Sequence, residues 1–111
     1  MQVSNKLINN VLVVQVLENR LNAKVAVEFK GHLLQTINAG NFNIVLDITD
    51  VTFIDSSGLG AIVSGLKELG RRGDIYVCGL QDSVQQMFSL TRLDKVFKIF
   101  PTQSEAVQAF R

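Results

Sequence analysis

Residues 53–60 read FIDSSGLG: two apolar residues, an acid, two adjacent hydroxyls and a Gly-Leu-Gly. Three chemistries could use that spacing: a serine nucleophile, a phosphate-cradling loop, or a serine that is itself a substrate. The nucleophile reading needs glycine two residues before the serine and a base beside it. Asp55 stands two before Ser57 and Ile54 two before Ser56, so the elbow pattern fails. The single histidine, His32, falls in the middle of a helical stretch and points outward beside its apolar face, and no lysine spacing supports a lysine base. As a nucleotide loop, GLGAIV puts Val63 where the third glycine of G-x-G-x-x-G belongs. GAIVSGLK inserts Leu66 before Lys67 and has no Ser/Thr after it. An apolar helical period runs straight through these residues, so Gly60 and Gly65 read as close-packing positions on a helix.

The third chemistry needs least from the rest of the chain. In a helix's first turn several backbone N–H groups lack partners and the dipole end is positive, which accommodates a phosphate within its own domain. The same phosphate adds roughly −1.5 to −2 charges to a protruding surface and would repel a partner packed over it. Asp-Ser-Ser at a strand-to-helix junction is equally a good N-cap, worth about 1 kcal/mol without any regulation. Asp55 or Ser56 can cap under either reading, which leaves Ser57 the less occupied hydroxyl.

The elements that position this motif follow from changes of apolar period. NVLVVQVLE (10–18) is a β-rich run, and residues 2–8 offer an extra strand. In residues 22–40, Ala26, Phe29, Leu33 and Ile37 share one helical face and Gly40 is a stop. NIVLDI (43–48) is a short apolar run of the kind found in a covered or central strand. After the motif, Leu59, Ile62, Val63 and Leu66 follow the i, i+3, i+4, i+7 rule, and Gly70 or Gly73 can end that helix. DIYVCGL (74–80) is the next strand. Asp82 or Ser83 can cap a helix carrying Val84, Met87 and Phe88. KVFKIF (95–100) alternates as an edge strand, and a last helix starts at Thr102, Gln103 or Ser104 and buries Ala106, Val107 and Phe110. Alternation of strands and helices predicts an α/β domain with a largely parallel sheet.

The whole-chain properties bound the answer. A chain of 111 residues makes one domain, 1–111, with one core. Net charge is +1 with no basic stripe, so nucleic acid is not implied, and Arg71-Arg72 reads as a solvated helix end. No secretory leader or bilayer-length apolar run is present, so a soluble cytoplasmic protein without a membrane partner is expected. One cysteine, Cys78, excludes an internal disulfide and a cysteine-rich metal site; its apolar setting makes it a core residue.

The stretch VLDITDVTFIDSSGLGAI (45–62) resembles the signature of bacterial STAS domains, specifically the anti-sigma factor antagonists. MFSLTRLDKVFKIFPTQSEAVQAF (87–110) is similar to that family's C-terminal half, so the resemblance spans essentially the whole chain. It implies a single STAS-like α/β domain: a small mixed sheet of four to five strands packed with about four α-helices, its first strand antiparallel. It also implies a non-enzymatic switch. Unphosphorylated antagonist binds an anti-sigma factor serine kinase and releases a sigma factor. Phosphorylation of the serine before Gly-Leu-Gly breaks the complex, and a PP2C-type phosphatase resets it. Carried over by position, the acceptor is Ser57, and Asp55, Ser56, Gly58, Leu59 and Gly60 shape the contact surface. The chain needs no cofactor of its own, since the kinase supplies ATP and Mg²⁺. One departure stands in VLENRLNA (16–23), where many relatives carry Gly-x-Leu/Ile-Asp; there the resemblance casts Asn22 in the capping role of the usual acid, near the phosphoserine end. Other STAS proteins serve as interaction modules of stressosome-like or other assemblies without sigma-factor release, which is the alternative reading.

Overall fold

The two apolar runs, 43–48 and 74–80, form the middle of a five-stranded sheet. A computed structural model describes residues 1–110. In chain order the strands are β1 (Val3–Ile8), β2 (Val11–Val16), β3 (Arg20–Leu21), β4 (Asn43–Asp47), β5 (Phe53–Ile54), β6 (Asp74–Cys78) and β7 (Ile99–Phe100). The helices are α1 (Ala23–Asn38), α2 (Ser56–Leu69), α3 (Asp82–Leu90) and α4 (Gln103–Gln108). The main sheet runs β1-β2-β4-β6-β7, and β3 pairs with β5 in a separate two-stranded unit. β1 is antiparallel to β2, and every other neighbouring pair is parallel. The fold implied by the resemblance is therefore present: the sheet is largely parallel, as the alternation of strands and helices predicts, and its first strand is antiparallel, as the resemblance implies.

β1 and β2 are joined at Asn9-Asn10, both in the left-handed region at φ 51° and 66°. A two-residue hairpin loop of this kind requires that conformation, and asparagine tolerates it. The remaining strands add in sequence order without reversal, so the sheet has no topological switch point of the kind that forms a ligand crevice in open α/β folds.

Strand alternation divides the core. Leu12, Val14 and Val16 of β2, Ile44 and Leu46 of β4, and Ile75 and Val77 of β6 face α1, α2 and α3, packing on Phe29, Leu33, Ile37, Leu59, Ile62, Val84 and Phe88. Val11, Val13, Val45, Tyr76 and Cys78 face the other way, under Ala106 and Val107 of α4. Phe110 stacks on Tyr76 with ring centroids 3.9 Å apart. All four apolar positions expected on α1 are buried. Cys78 is a core residue, as expected.

Two local expectations change. Of 95–100, only Ile99–Phe100 is strand, at the sheet edge as anticipated. Leu93–Lys95 forms a 3-10 turn, with the Val96 and Phe97 amides donating to the Leu93 carbonyl at 3.0 and 2.9 Å. That turn buries Phe97 against the Phe88 edge, which a straight strand through 95–100 would not do. Neither Asp82 nor Ser83 caps α3: Gln81 holds the cap position without a side-chain bond, and Ser83 Oγ donates to the Thr52 carbonyl at 2.8 Å. At the other end of α2, Gly70 is the stop, at φ 57°. The Arg72 guanidinium donates to the Glu68 and Leu69 carbonyls, so Arg71-Arg72 is a helix end.

Candidate functional site

The site is assembled by the smallest element of the fold. β3 and β5 pair in parallel, Arg20 with Phe53 and Leu21 with Ile54, and the Asp55 amide donates to the Leu21 carbonyl at 3.2 Å. This brings the ends of both segments together and sets two helix caps, Asn22 and Asp55, side by side. Asn22 Oδ1 accepts from the Lys24 amide at 3.1 Å, so it fills the capping role expected of it. Asp55 Oδ1 accepts from the Ser57 and Gly58 amides at 2.9 and 3.1 Å. Asp55, not Ser56, is therefore the cap of α2.

With the cap supplied by a carboxylate, both serines are left free. Ser56 and Ser57 are the first two residues of α2, both exposed, and neither hydroxyl is hydrogen-bonded among the described residues. The other expected surface residues divide. Gly58 is buried: a Cβ there would collide with the Leu21 carbonyl oxygen and come to 3.0 Å from Ile54 Cγ1. Leu59 is buried in the core. Both lie beneath the exposed serines and hold the turn in place. Gly60 is exposed, on the same helix face as Ser57 three residues on. The packing role expected for Gly60 is corrected, because nothing beyond the helix's own local backbone lies within 4 Å of where its Cβ would stand. Gly65 does have that role, with Ile75 Cδ1 at 3.1 Å and Leu33 Cδ1 at 3.3 Å.

Around the serines, the Arg20 guanidinium lies 4.2 Å over the ring of Phe53, which is 39% exposed. The Thr52 amide and hydroxyl both donate to the Asn19 carbonyl, tying the loop before the motif to the loop before β3. Phe53 carried no sign of this position in the sequence, since a two-residue strand is too short to show an alternation. A second polar knot went unnoticed in the sequence. Buried Asp47 accepts through Oδ1 from the Thr49 amide and hydroxyl, and through Oδ2 from Gln103 Nε2 at 2.6 Å, fastening α4 to the carboxyl end of β4. Only a pairing 56 residues apart would have revealed it.

The remaining reactive groups are occupied elsewhere. His32 Nε2 lies 3.1 Å from Asn5 Oδ1 on β1, and partial burial lowers its pKa. Burial, with the charge of Asp47 added, pushes the Cys78 thiol up to about 12. The arrangement offers an exposed hydroxyl, unbonded among the described residues, at a helix start fastened to β3, and the Asp55 carboxylate beside it is engaged in capping. Such a hydroxyl can accept a group from another protein's active site.

Comparison with known proteins follows from this geometry. A family model described as STAS domain matches residues 2–106. A Thermotoga maritima protein named "Putative anti-sigma factor antagonist" is 33% identical over 108 residues, covering 96% of this chain and 95% of its own length. The crystal structure of such a protein from T. maritima superposes with a TM-score of 0.87 at 33% identity, over 96% of this chain and 92% of that one. The antagonist SpoIIAA in its unphosphorylated form shares the fold, with a TM-score of 0.83 at 18% identity, over 99% of this chain and 96% of that one. Among the described residues, no helix is long and apolar enough to cross a membrane.

Proposed function

The chain belongs to the STAS domain family, and from that premise we propose that it is an anti-sigma factor antagonist that works by partner switching through Ser57. The observation that carries the proposal is the division of labour at the start of α2. Asp55 takes the cap, so the Ser57 hydroxyl has no structural task and faces solvent. The T. maritima relative, alike over nearly its whole length, carries the antagonist name.

In the unphosphorylated state the surface around Ser56, Ser57 and Gly60 docks on an anti-sigma factor with serine-kinase activity, and the sigma factor is released. The kinase brings ATP and Mg²⁺. Ser57 Oγ attacks the γ-phosphorus, the bond to the ADP oxygen breaks, and a base of the kinase takes the hydroxyl proton. The product carries roughly −1.5 to −2 charges beside the Asp55 carboxylate, so a surface shaped to meet a neutral serine now faces two anions. The complex separates, and a PP2C-type phosphatase hydrolyses the phosphoserine to restore the binding form. This exchange takes place in the cytoplasm, where sigma factors act.

Binding of the purified kinase to wild type, Ser57→Ala and Ser57→Asp tests the reading. Ser57→Ala should bind like wild type and resist phosphorylation. Ser57→Asp should lose about 100-fold in affinity through like-charge repulsion, with its melting point close to wild type. Equal binding by all three would favour a constitutive interaction module.

A further inference from the structure

Building on the reading of Ser57 as phospho-acceptor, we infer that Gly60 is a specificity-determining residue of the switch: its bare backbone lets the kinase close to phosphoryl-transfer distance of Ser57. The inference comes from sorting the glycines by what each does within the chain. Gly40, Gly70 and Gly79 hold positive φ. At Gly58, Gly65 and Gly73 a Cβ would crowd neighbouring atoms. Two remain, Gly31 on α1 and Gly60 on α2. Both sit inside helices, both are exposed, and at neither does any atom beyond the helix's own local backbone lie within 4 Å of its Cβ position. Glycine there costs helix stability relative to alanine and returns nothing to the fold.

The two differ in what surrounds them. Gly31 lines a shallow recess with Met1, Glu28 and His32, against the N-terminal strand. Gly60 lies one helical turn after Ser57 on the same face, where side-chain positions stand about 5–6 Å apart. Its carbonyl accepts the Ser64 hydroxyl at 2.9 Å. A kinase must bring the γ-phosphorus of ATP in line with Ser57 Oγ at near-contact distance, and the walls of its active site must then press on the adjacent helix surface. A methyl group at position 60 stands in that approach. A displacement of about 1 Å suffices to cost on the order of 100-fold in a positioned reaction.

The test measures initial rates of phosphate incorporation by intact mass, using Mg-ATP and lysate of the source cells, for wild type, Gly60→Ala and Gly31→Ala, with a thermal melt of each. We expect both alanine variants to melt at or above the wild-type temperature. Gly31→Ala should be phosphorylated at the wild-type rate and Gly60→Ala about 10- to 100-fold more slowly. Equal rates for Gly60→Ala and wild type would overturn the inference while leaving Ser57 as the acceptor. Equal slowing in Gly31→Ala would also overturn it, because the effect would then belong to helix stiffening in general. Absence of phosphate on wild type, with a control substrate phosphorylated in the same lysate, would remove the reading of Ser57 and the inference together.

Discussion

Replacing Gly58 by alanine places a methyl group where the Leu21 carbonyl oxygen already stands. That oxygen has little freedom to retreat. It accepts the Asp55 amide at 3.2 Å and belongs to the β3–β5 pairing that carries the whole junction. The second neighbour, Ile54 Cγ1 at 3.0 Å, is part of a buried side chain in the main core. Overpacking of this kind costs about 1–3 kcal/mol. Alanine's better helix propensity offsets roughly 0.5–1 kcal/mol of that. The net expectation is a loss of about 1–2 kcal/mol, which for a chain of 111 residues lowers the melting temperature by roughly 5–10 °C. Thermal and urea unfolding followed by circular dichroism measure it, with an unchanged urea m-value marking a true stability effect. A Gly58→Ala protein as stable as wild type, or more stable, would refute the packing of α2 on β3 and the assignment of Gly58 to support.

Asp55→Ala leaves the Ser57 and Gly58 amides without their acceptor and should cost about 1 kcal/mol in urea unfolding, with Asp55→Asn recovering most of it. Cys78, raised by burial from its ordinary value of 9.0 to about 12, should resist alkylation at pH 8 until the chain is unfolded. The same shift makes the folded state hold its proton longer, so stability should fall as pH rises from 9 toward 12, and Cys78→Ala should flatten that decline. His32 titrates below its ordinary 6.5 because burial disfavours the cation; its contribution is present above 6.5 and lost as pH falls through the depressed value. An NMR titration of the imidazole should give a midpoint under 6.5, and His32→Gln should remove this component of the acid-side loss of stability.

The readable parts of the fold are those whose burial leaves a period. Residues Ala26, Phe29, Leu33 and Ile37 mark α1 because one face of it is sealed against the sheet. The middles of β4 and β6, residues 44–46 and 75–78, are apolar because both of their faces are covered. β1 leaves no such mark: it is an edge strand whose four central residues are exposed, so only the hairpin turn and its pairing with β2 define it. β3 and β5, two residues each, are too short for any period, yet they set the two caps side by side. Their pairing is a tertiary contact that local propensity does not encode. At the site, the serines and the acid were legible from residue type. The separation of Gly58 and Gly65 from Gly60 was not, because a glycine's role depends on what surrounds its missing Cβ.

The most direct test of the account is localisation of phosphate on the chain. Wild type and Ser57→Ala are incubated with Mg-ATP and source-cell lysate, then measured by intact-mass and fragment mass spectrometry. The account predicts one phosphate on wild type, placed on Ser57, and none on Ser57→Ala. A phosphate on Ser56 or elsewhere, or an unmodified wild type beside a phosphorylated control substrate, would contradict it.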